Sequence, residues 1–369
     1  MRDLFIGLMS GTSMDGVDGV LAGFSTGRPQ VLQHASAPFP DNLRSELMAL
    51  NTSGPDELHR AWLAGNALMR VYADVVHALL SHAQLPASAV QAIGAHGQTV
   101  RHRPQQFDGT GYTIQLAQPA LLAELSGIEV VADFRSRDVA AGGQGAPLAP
   151  FFHQEVFGKP GHTVGVLNIG GISNITLLRA DGSMRGFDCG PGNALMDDWC
   201  ARHGGAPYDD DGRWAASGHV QDPLLARLLA EPFFALPPPK STGRDLFNRP
   251  WLEAHLQSFR HLAPADVQAT LTELTARAIA SEAKRHAPQL EELIVCGGGA
   301  LNGHLMKRLQ ALLPAAKVSS SGAHGIPPMQ VEAAAFAWLA RKAVRREKLE
   351  LTSTTGAHGA RVLGGIYPA

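Results

Sequence analysis

The chain has 369 residues, 45% hydrophobic and 17% charged, with a net charge of −2. That length suggests two domains, or one domain in two lobes, and the near-neutral balance without a basic or acidic tail argues against a nucleic-acid partner. Cys189, Cys200 and Cys296 form neither a disulfide framework nor a zinc spacing, the first residues carry no signal-peptide run, and no stretch approaches the ~18 apolar residues of a membrane span; a cytoplasmic protein is expected.

Leu4–Met9 reads as a buried strand, residues 11–16 as a turn and residues 17–24 as the returning strand. Residues 31–36 form a third strand. Apolar residues recur at helical spacing over 55–82. Strands are expected at 90–95, 112–116 and 129–134, with a helix at Pro119–Ser126 between the last two. The second half repeats this pattern, with a strand at Val164–Ile169, a Gly170-Gly171 turn, a strand at 173–178 and a helix at 193–203. A long alanine-rich helix at 266–286 precedes a strand at 293–296 that runs into Gly297-Gly298-Gly299. A helix at 302–313, a strand at Lys317–Ser320 and a final helix at 329–346 complete an α/β pattern. Residues 5–11 and 166–171 share an apolar strand and a small-residue turn, a loose sign of internal duplication. We expect lobes at 1–137, joined by the helix at 329–346, and at 138–328, with the tail 347–369 unassigned.

Four segments carry chemistry. The first contains Gly11, Thr12, Ser13, Met14, Asp15, Gly16, Val17 and Asp18. Glycines let the backbone approach a phosphate, hydroxyls add donors, and Asp15 or Asp18 can serve Mg²⁺. An ordinary hairpin with a polar turn accounts for the composition equally well. The second, Asn168 to Asn174 with Gly170 and Gly171, is a turn of the same kind. Two such turns, one per half, favour a nucleotide clamped between lobes. The third places Asp188 before Gly190-Pro191-Gly192-Asn193; it is a candidate general base, or a turn aspartate bonding its own backbone. The fourth, Gly297, Gly298, Gly299 and Asn302, joins a strand to a helix and suits a nucleotide's base, ribose or phosphate. It lacks the glycine spacing and the downstream acid of a dinucleotide fingerprint, so an NAD-dependent oxidoreductase is disfavoured. No P-loop, protein-kinase signature or H-E-x-x-H occurs. Cys189 and Cys296 read as small core residues.

Residues 8–18 resemble the opening of the anhydro-N-acetylmuramic acid kinases. So do Gly94-Ala95-His96-Gly97-Gln98-Thr99-Val100, Ala132-Asp133-Phe134-Arg135, Gly143-Gln144-Gly145-Ala146-Pro147-Leu148, the segments 168–174 and 186–193, Lys240-Ser241-Thr242-Gly243-Arg244, residues 296–302 and residues 331–337. The matches run in order along almost the whole chain; one departure is Cys189, where threonine is expected. The resemblance implies a two-lobed actin/hexokinase/Hsp70-like ATPase fold with an interlobe active-site cleft, ATP and Mg²⁺, and a homodimer. It implies ATP-dependent phosphorylation of 1,6-anhydro-N-acetylmuramic acid with hydrolytic opening of the anhydro ring, in murein recycling. By the same resemblance Asp188 is the base and Glu332 sets charge and water geometry beside it. Residues 10–18 and 168–173 serve ATP and metal, and His96, Gln98, Asp133 and Arg135 serve the sugar, Arg135 holding its lactyl carboxylate. Competing readings are a kinase of this fold for another sugar and a non-catalytic ATP switch like actin.

Overall fold

A computed structural model describes residues 3–11, 14–25 and 28–369. The chain opens with β1 (Leu4–Met9), β2 (Gly16–Gly23) and β3 (Gln30–Pro38), an antiparallel meander. Then come α1 (Asp41–Ala49), α2 (Glu57–Ala83), β4 (Ala92–Ala95), β5 (Gln98–Pro104), β6 (Gly111–Leu116), α3 (Pro119–Ser126), β7 (Val130–Ala132), α4 (Ser136–Ala140) and α5 (Ala149–Phe157). A second meander follows: β8 (Val164–Ile169), β9 (Ile172–Leu178) and β10 (Met184–Pro191). After it run α6 (Ala194–His203), α7 (Arg213–Ser217), α8 (Asp222–Leu229), α9 (Arg249–Leu256), α10 (Pro264–His286), β11 (Glu292–Cys296), α11 (Gly303–Leu312) and β12 (Lys317–Ser320). α12 (Val331–Val344) and β13 (Gly365–Tyr367) close the chain.

Two compact units result, Met1–Val156 with Gln330–Ala369, and Phe157–Met329. Residues 138–156, expected in the second lobe, group with the first unit. Polar and aromatic contacts hold them there: Thr355 donates its hydroxyl to Asp138, Gln144 N–H donates to the Thr355 carbonyl at 2.9 Å, Phe152 meets Trp338 edge-on at 6.0 Å, and Glu155 pairs with Lys342 at 3.0 Å. The tail belongs to the same unit, where β13 pairs with β7.

Each unit is built on one sheet order. The first runs β13-β7-β4-β1-β2-β3 and the second β10-β9-β8-β11-β12. Read from β3 and from β10, both run through an antiparallel meander into two further parallel strands: β1, β4 and β7 are parallel, as are β8, β11 and β12. The faint likeness between residues 5–11 and 166–171 therefore falls on equivalent central strands. Central strands are covered on both faces, which explains their unbroken apolar runs. The first core gathers Leu21, Leu68, Tyr72, Val76 and Ile93, and the second Leu167, Ile175, Trp199, Leu274 and Val295.

Close backbone packing sets the site in the first unit. A methyl group at Gly7 would collide with the Ala333 carbonyl, and one at Gly94 with the Phe336 carbonyl. Only glycine lets α12 lie flat on β1 and β4 there. Gly190 and Pro191, expected in a turn before a helix, instead end β10. Pairing with β9 overrides their glycine and proline content, with a bulge between Asp188 and Gly190.

Candidate active site

In the first unit the expected residues gather beyond the carboxyl ends of β1, β4 and β7. Open α/β sheets bind their ligands at that edge. The turn after β1 closes with Met14 N–H donating to the Gly11 carbonyl at 3.2 Å. Gln98 at the start of β5 donates its side-chain N–H to the same carbonyl at 3.2 Å. Ser10, buried, donates to the Gly97 carbonyl at 3.0 Å and meets the Tyr72 hydroxyl at 3.0 Å. The turns after β1 and β4 are thus tied together by side chains. Thr12 and Ser13 lie outside the described residues. Val17 points into the core. Asp15 is exposed and faces Arg44 at 3.3 Å, whereas Asp18 is half-buried with His34 Nε2 at 3.4 Å.

α12 brings Glu332, in its first turn, to this edge. Glu332 has an accessible surface yet stands in dense protein, so loss of hydration lifts its pKa first and the Asp18 charge lifts it further; Arg135 opposes both. Burial likewise raises Asp18, against the pull of His34. Two carboxyl groups that resist being charged together suit a divalent cation between or beside them. Mg²⁺ typically takes one or two carboxylates and completes its shell with water and phosphate oxygens, so this donor set fits it.

His96 and Arg135 form one polar unit. Arg135 Nε and Nη2 donate to His96 Nε2 at 3.3 and 3.0 Å, and Nη1 donates to the Gly145 carbonyl at 2.9 Å. Arginine only donates, so Nε2 accepts and the imidazole proton sits on Nδ1. Burial, helped by the Arg135 charge, holds His96 down to about 3, keeping it neutral. Burial also lowers Arg135, to about 10, with Glu332 and Asp138 opposing; it stays cationic. Those three bonds leave two of the five guanidinium N–H groups for another acceptor. Asp133, exposed and at positive φ, accepts from Ser136 N–H at 3.2 Å and so serves the start of α4.

The second unit assembles the remaining residues, again beyond the carboxyl ends of β8 and β11. The Gly170 and Gly171 carbonyls accept N–H groups from Asn193, Gly192 and Ala194 at 2.7, 2.9 and 3.2 Å. This fixes the β8–β9 turn to the start of α6. Gly297, at φ +77°, packs against Asn168 and Ile169, Gly299 packs on Ile169, and Gly298 faces the Asn193 amide. Asn302 accepts Leu305 N–H at 2.9 Å and caps α11. Its side-chain oxygen is therefore engaged within the fold.

Asp188 sits on β10, and its side chain does not bond its own backbone. Oδ2 accepts the Ser241 hydroxyl and the Thr242 N–H, each at 2.9 Å, while Asp188 N–H donates to the Lys240 carbonyl at 3.1 Å. Oδ1 accepts no hydrogen bond among the described residues. Burial raises the Asp188 pKa; Thr242, Ser241 and Lys240 draw it back. Cys189 beside it is fully buried, and burial followed by the Glu282 and Asp188 charges pushes its thiol well up, so it is a core residue. Sequence reasoning assigned no role to Ser241, Thr242 or Arg244, although they lie in a motif it singled out. Arg244 has its guanidinium against Gly171 and makes no ion pair among the described residues.

The model of the family described as anhydro-N-acetylmuramic acid kinase matches residues 3–369. The chain belongs to the anhydro-N-acetylmuramic acid kinase family. It is 64% identical over 372 residues to the anhydro-N-acetylmuramic acid kinase of Variovorax paradoxus, covering 100% of this chain and 99% of that one. Identity is 61% to the kinase of Albidiferax ferrireducens, with both chains fully covered, and 58% to that of Cupriavidus metallidurans, covering 99% and 98%. Among solved structures, the activator of the 2-hydroxyisocaproyl-CoA dehydratase from Clostridium difficile with bound ADPNP superposes with a TM-score of 0.50 at 11% identity, over 94% of this chain and 96% of that one. Component A of the (R)-2-hydroxyglutaryl-CoA dehydratase from Acidaminococcus fermentans gives the same TM-score and identity over 93% and 99%. The fold is the α/β fold of the actin, hexokinase and Hsp70 ATPases. As a member of that family, the chain is a sugar kinase of murein recycling that phosphorylates its anhydro sugar at the expense of ATP while the anhydro ring opens.

Proposed function

We propose that Asp188 is the general base of the reaction and that its Oδ1 takes the proton. The observation carrying this is the asymmetry of its carboxylate: Oδ2 is held by Ser241 and Thr242, and Oδ1 is bonded by neither. Asp188 removes a proton from water as the water oxygen bonds to the anomeric carbon. The bond from that carbon to the 1,6-bridge oxygen breaks. The bridge oxygen, still on C6, then bonds to the γ-phosphorus of ATP, and the bond from that phosphorus to the β,γ-bridging oxygen breaks to release ADP. Atoms and charge balance as anhydro sugar, water and ATP giving N-acetylmuramic acid 6-phosphate, ADP and the proton taken by Asp188.

The remaining residues position charge, which is most of what phosphoryl transfer asks of a protein. Gly11, Thr12, Ser13, Met14, Gly16, Asn168, Gly170 and Gly171 offer backbone and side-chain donors to ATP. Gly297, Gly298, Gly299 and Asn302 form the strand-to-helix turn on its nucleoside side, and Arg244 adds a cation beside Gly171. Asp18 and Glu332, with Asp15 nearer the surface, are the groups that would hold Mg²⁺, whose contribution is to neutralise phosphate charge. Glu332 also orders water near the anomeric carbon. Arg135 takes the lactyl carboxylate through its two remaining N–H groups, with His96 and Gln98 beside it and Asp133 supporting that loop. No helix among the described residues is long and apolar enough to cross a membrane; together with the cysteine usage this supports a cytoplasmic enzyme. The family resemblance supports a homodimer.

Reaction in ¹⁸O-water tests the mechanism. The label is expected at the anomeric hydroxyl of the 6-phosphosugar, and label in the phosphate instead would overturn it. Asp188→Asn is expected to lose at least ~10³-fold in turnover while still binding ATP. Near-normal turnover in that variant removes Asp188 from the reaction.

A further inference from the structure

Behind Asp188 lies a charge cluster that the reaction itself does not use. The side chains of Lys240 and Glu282 are each only 2% exposed, with Lys240 Nζ 3.1 Å from Glu282 Oε1. The ammonium also donates to the Phe233 carbonyl at 3.3 Å and lies 4.6 Å from the centre of the Phe233 ring. Arg285 reaches Glu282 Oε1 at 3.1 Å, and His286 stands 3.3 Å from Oε2. Glu282 belongs to α10, the long helix packed in the second core. Dehydrating such a pair costs about as much as its attraction returns, so stability alone is a weak reason for it. What it does achieve is to pin Lys240, the residue whose carbonyl accepts Asp188 N–H and whose two successors bond Asp188 Oδ2.

We infer that residues 240–242, anchored to α10 by the buried Lys240–Glu282 pair, act as a positioning clasp that fixes Oδ2 of Asp188 and presents Oδ1 for proton transfer. This rests on Asp188 being the base. The clasp acts on the same carboxylate in two ways. It restrains the rotation of the side chain, and it favours the charged form through two hydrogen bonds and the positive charge of Lys240. The titratable or charged groups around Asp188 in this unit are Lys240 and Cys189, with Glu282, Arg285 and His286 behind them.

The test uses the full-length enzyme with ATP, Mg²⁺ and the anhydro sugar, and reads the acid limb of kcat/KM for the sugar, which reports the base of the free enzyme. Ser241 is exposed, so Ser241→Ala spares the fold while removing one bond to the charged carboxylate; the limb is expected to move to higher pH. Lys240→Met removes a positive charge and should move the limb the same way, with turnover down about ten- to a hundredfold. Glu282 keeps Arg285 and His286 as partners in that variant, and Lys240→Arg should return the limb toward its original position. A limb that stays in place in Ser241→Ala, or in a folded Lys240→Met, overturns the clasp. Asp188→Asn separates the two ideas. If it retains turnover, the base assignment fails; if it is inactive while the limbs stay in place, the clasp alone fails.

Discussion

Arg135 shows how one side chain can be both structural and free to act. Its bonds to His96 and Gly145 fix the plane of the guanidinium, and two N–H groups remain for a planar anion. Arg135→Ala should therefore raise KM for the anhydro sugar about tenfold or more, since a charge-assisted bidentate bond is worth on the order of 1.5–3 kcal/mol, while KM for ATP changes little. Steady-state kinetics with each substrate varied in turn decide the matter; equal rises in both constants would remove the carboxylate role. His96, Gln98, Arg135, Asp188 and Glu332 are candidates already in the sequence because they stand in short motifs that resemble the family's. Ser241 and Thr242 were not assigned. Their role exists only once the chain has brought them back, 53 and 54 positions on, to Asp188. Asn302, expected from the sequence to serve the nucleotide, accepts Leu305 N–H and caps α11.

α12 illustrates the element scale. The sequence expects a helix at 329–346, within two residues of α12 at each end, yet the pattern does not tell which surface it covers. The answer lies in Gly7 and Gly94, which let its backbone touch β1 and β4 and so bring Glu332 to the strand ends. Gly7→Ala must push the helix away. Overpacking of this kind costs about 1–3 kcal/mol, so the urea midpoint should fall by a corresponding amount. Turnover measured well below the unfolding range should fall as well, because Glu332 moves with the helix. A Gly7→Ala enzyme with unchanged stability would show that α12 does not lean on β1. Strands with unbroken apolar runs were equally plain in the sequence. β10 was hidden, since its glycines and Pro191 are turn formers and only the ladder with β9 makes them a strand. β5 and α1 were missed for a related reason. Both are largely polar: β5 becomes a strand through its ladder with β6, and α1 buries only Leu43 and Leu47.

At the scale of the molecule, one strand order serves twice, and each copy carries its own core and its own set of candidate site residues at the strand ends. The sequence hinted at this only through one strand and one turn, because a sheet topology constrains apolarity and turn position far more than residue identity. The first unit also carries two buried imidazoles, His96 and His153, both held neutral by burial with pKa values of about 3. In the unfolded chain each would titrate near 6.5. As pH falls through 6.5 the unfolded state takes up protons that the folded state refuses, so the unfolding free energy must drop, and full stability is present only above that value. Between pH 7 and 5.5 each such histidine should remove about 1 kcal/mol. His102, His286 and His304, also lowered mainly by burial, add in the same direction. Urea unfolding of the wild type at the two pH values should show the drop. His153→Leu should show a smaller one, by about 1 kcal/mol, whatever its stability at pH 7. An identical pH dependence in the two proteins would mean that His153 takes up its proton in the folded state.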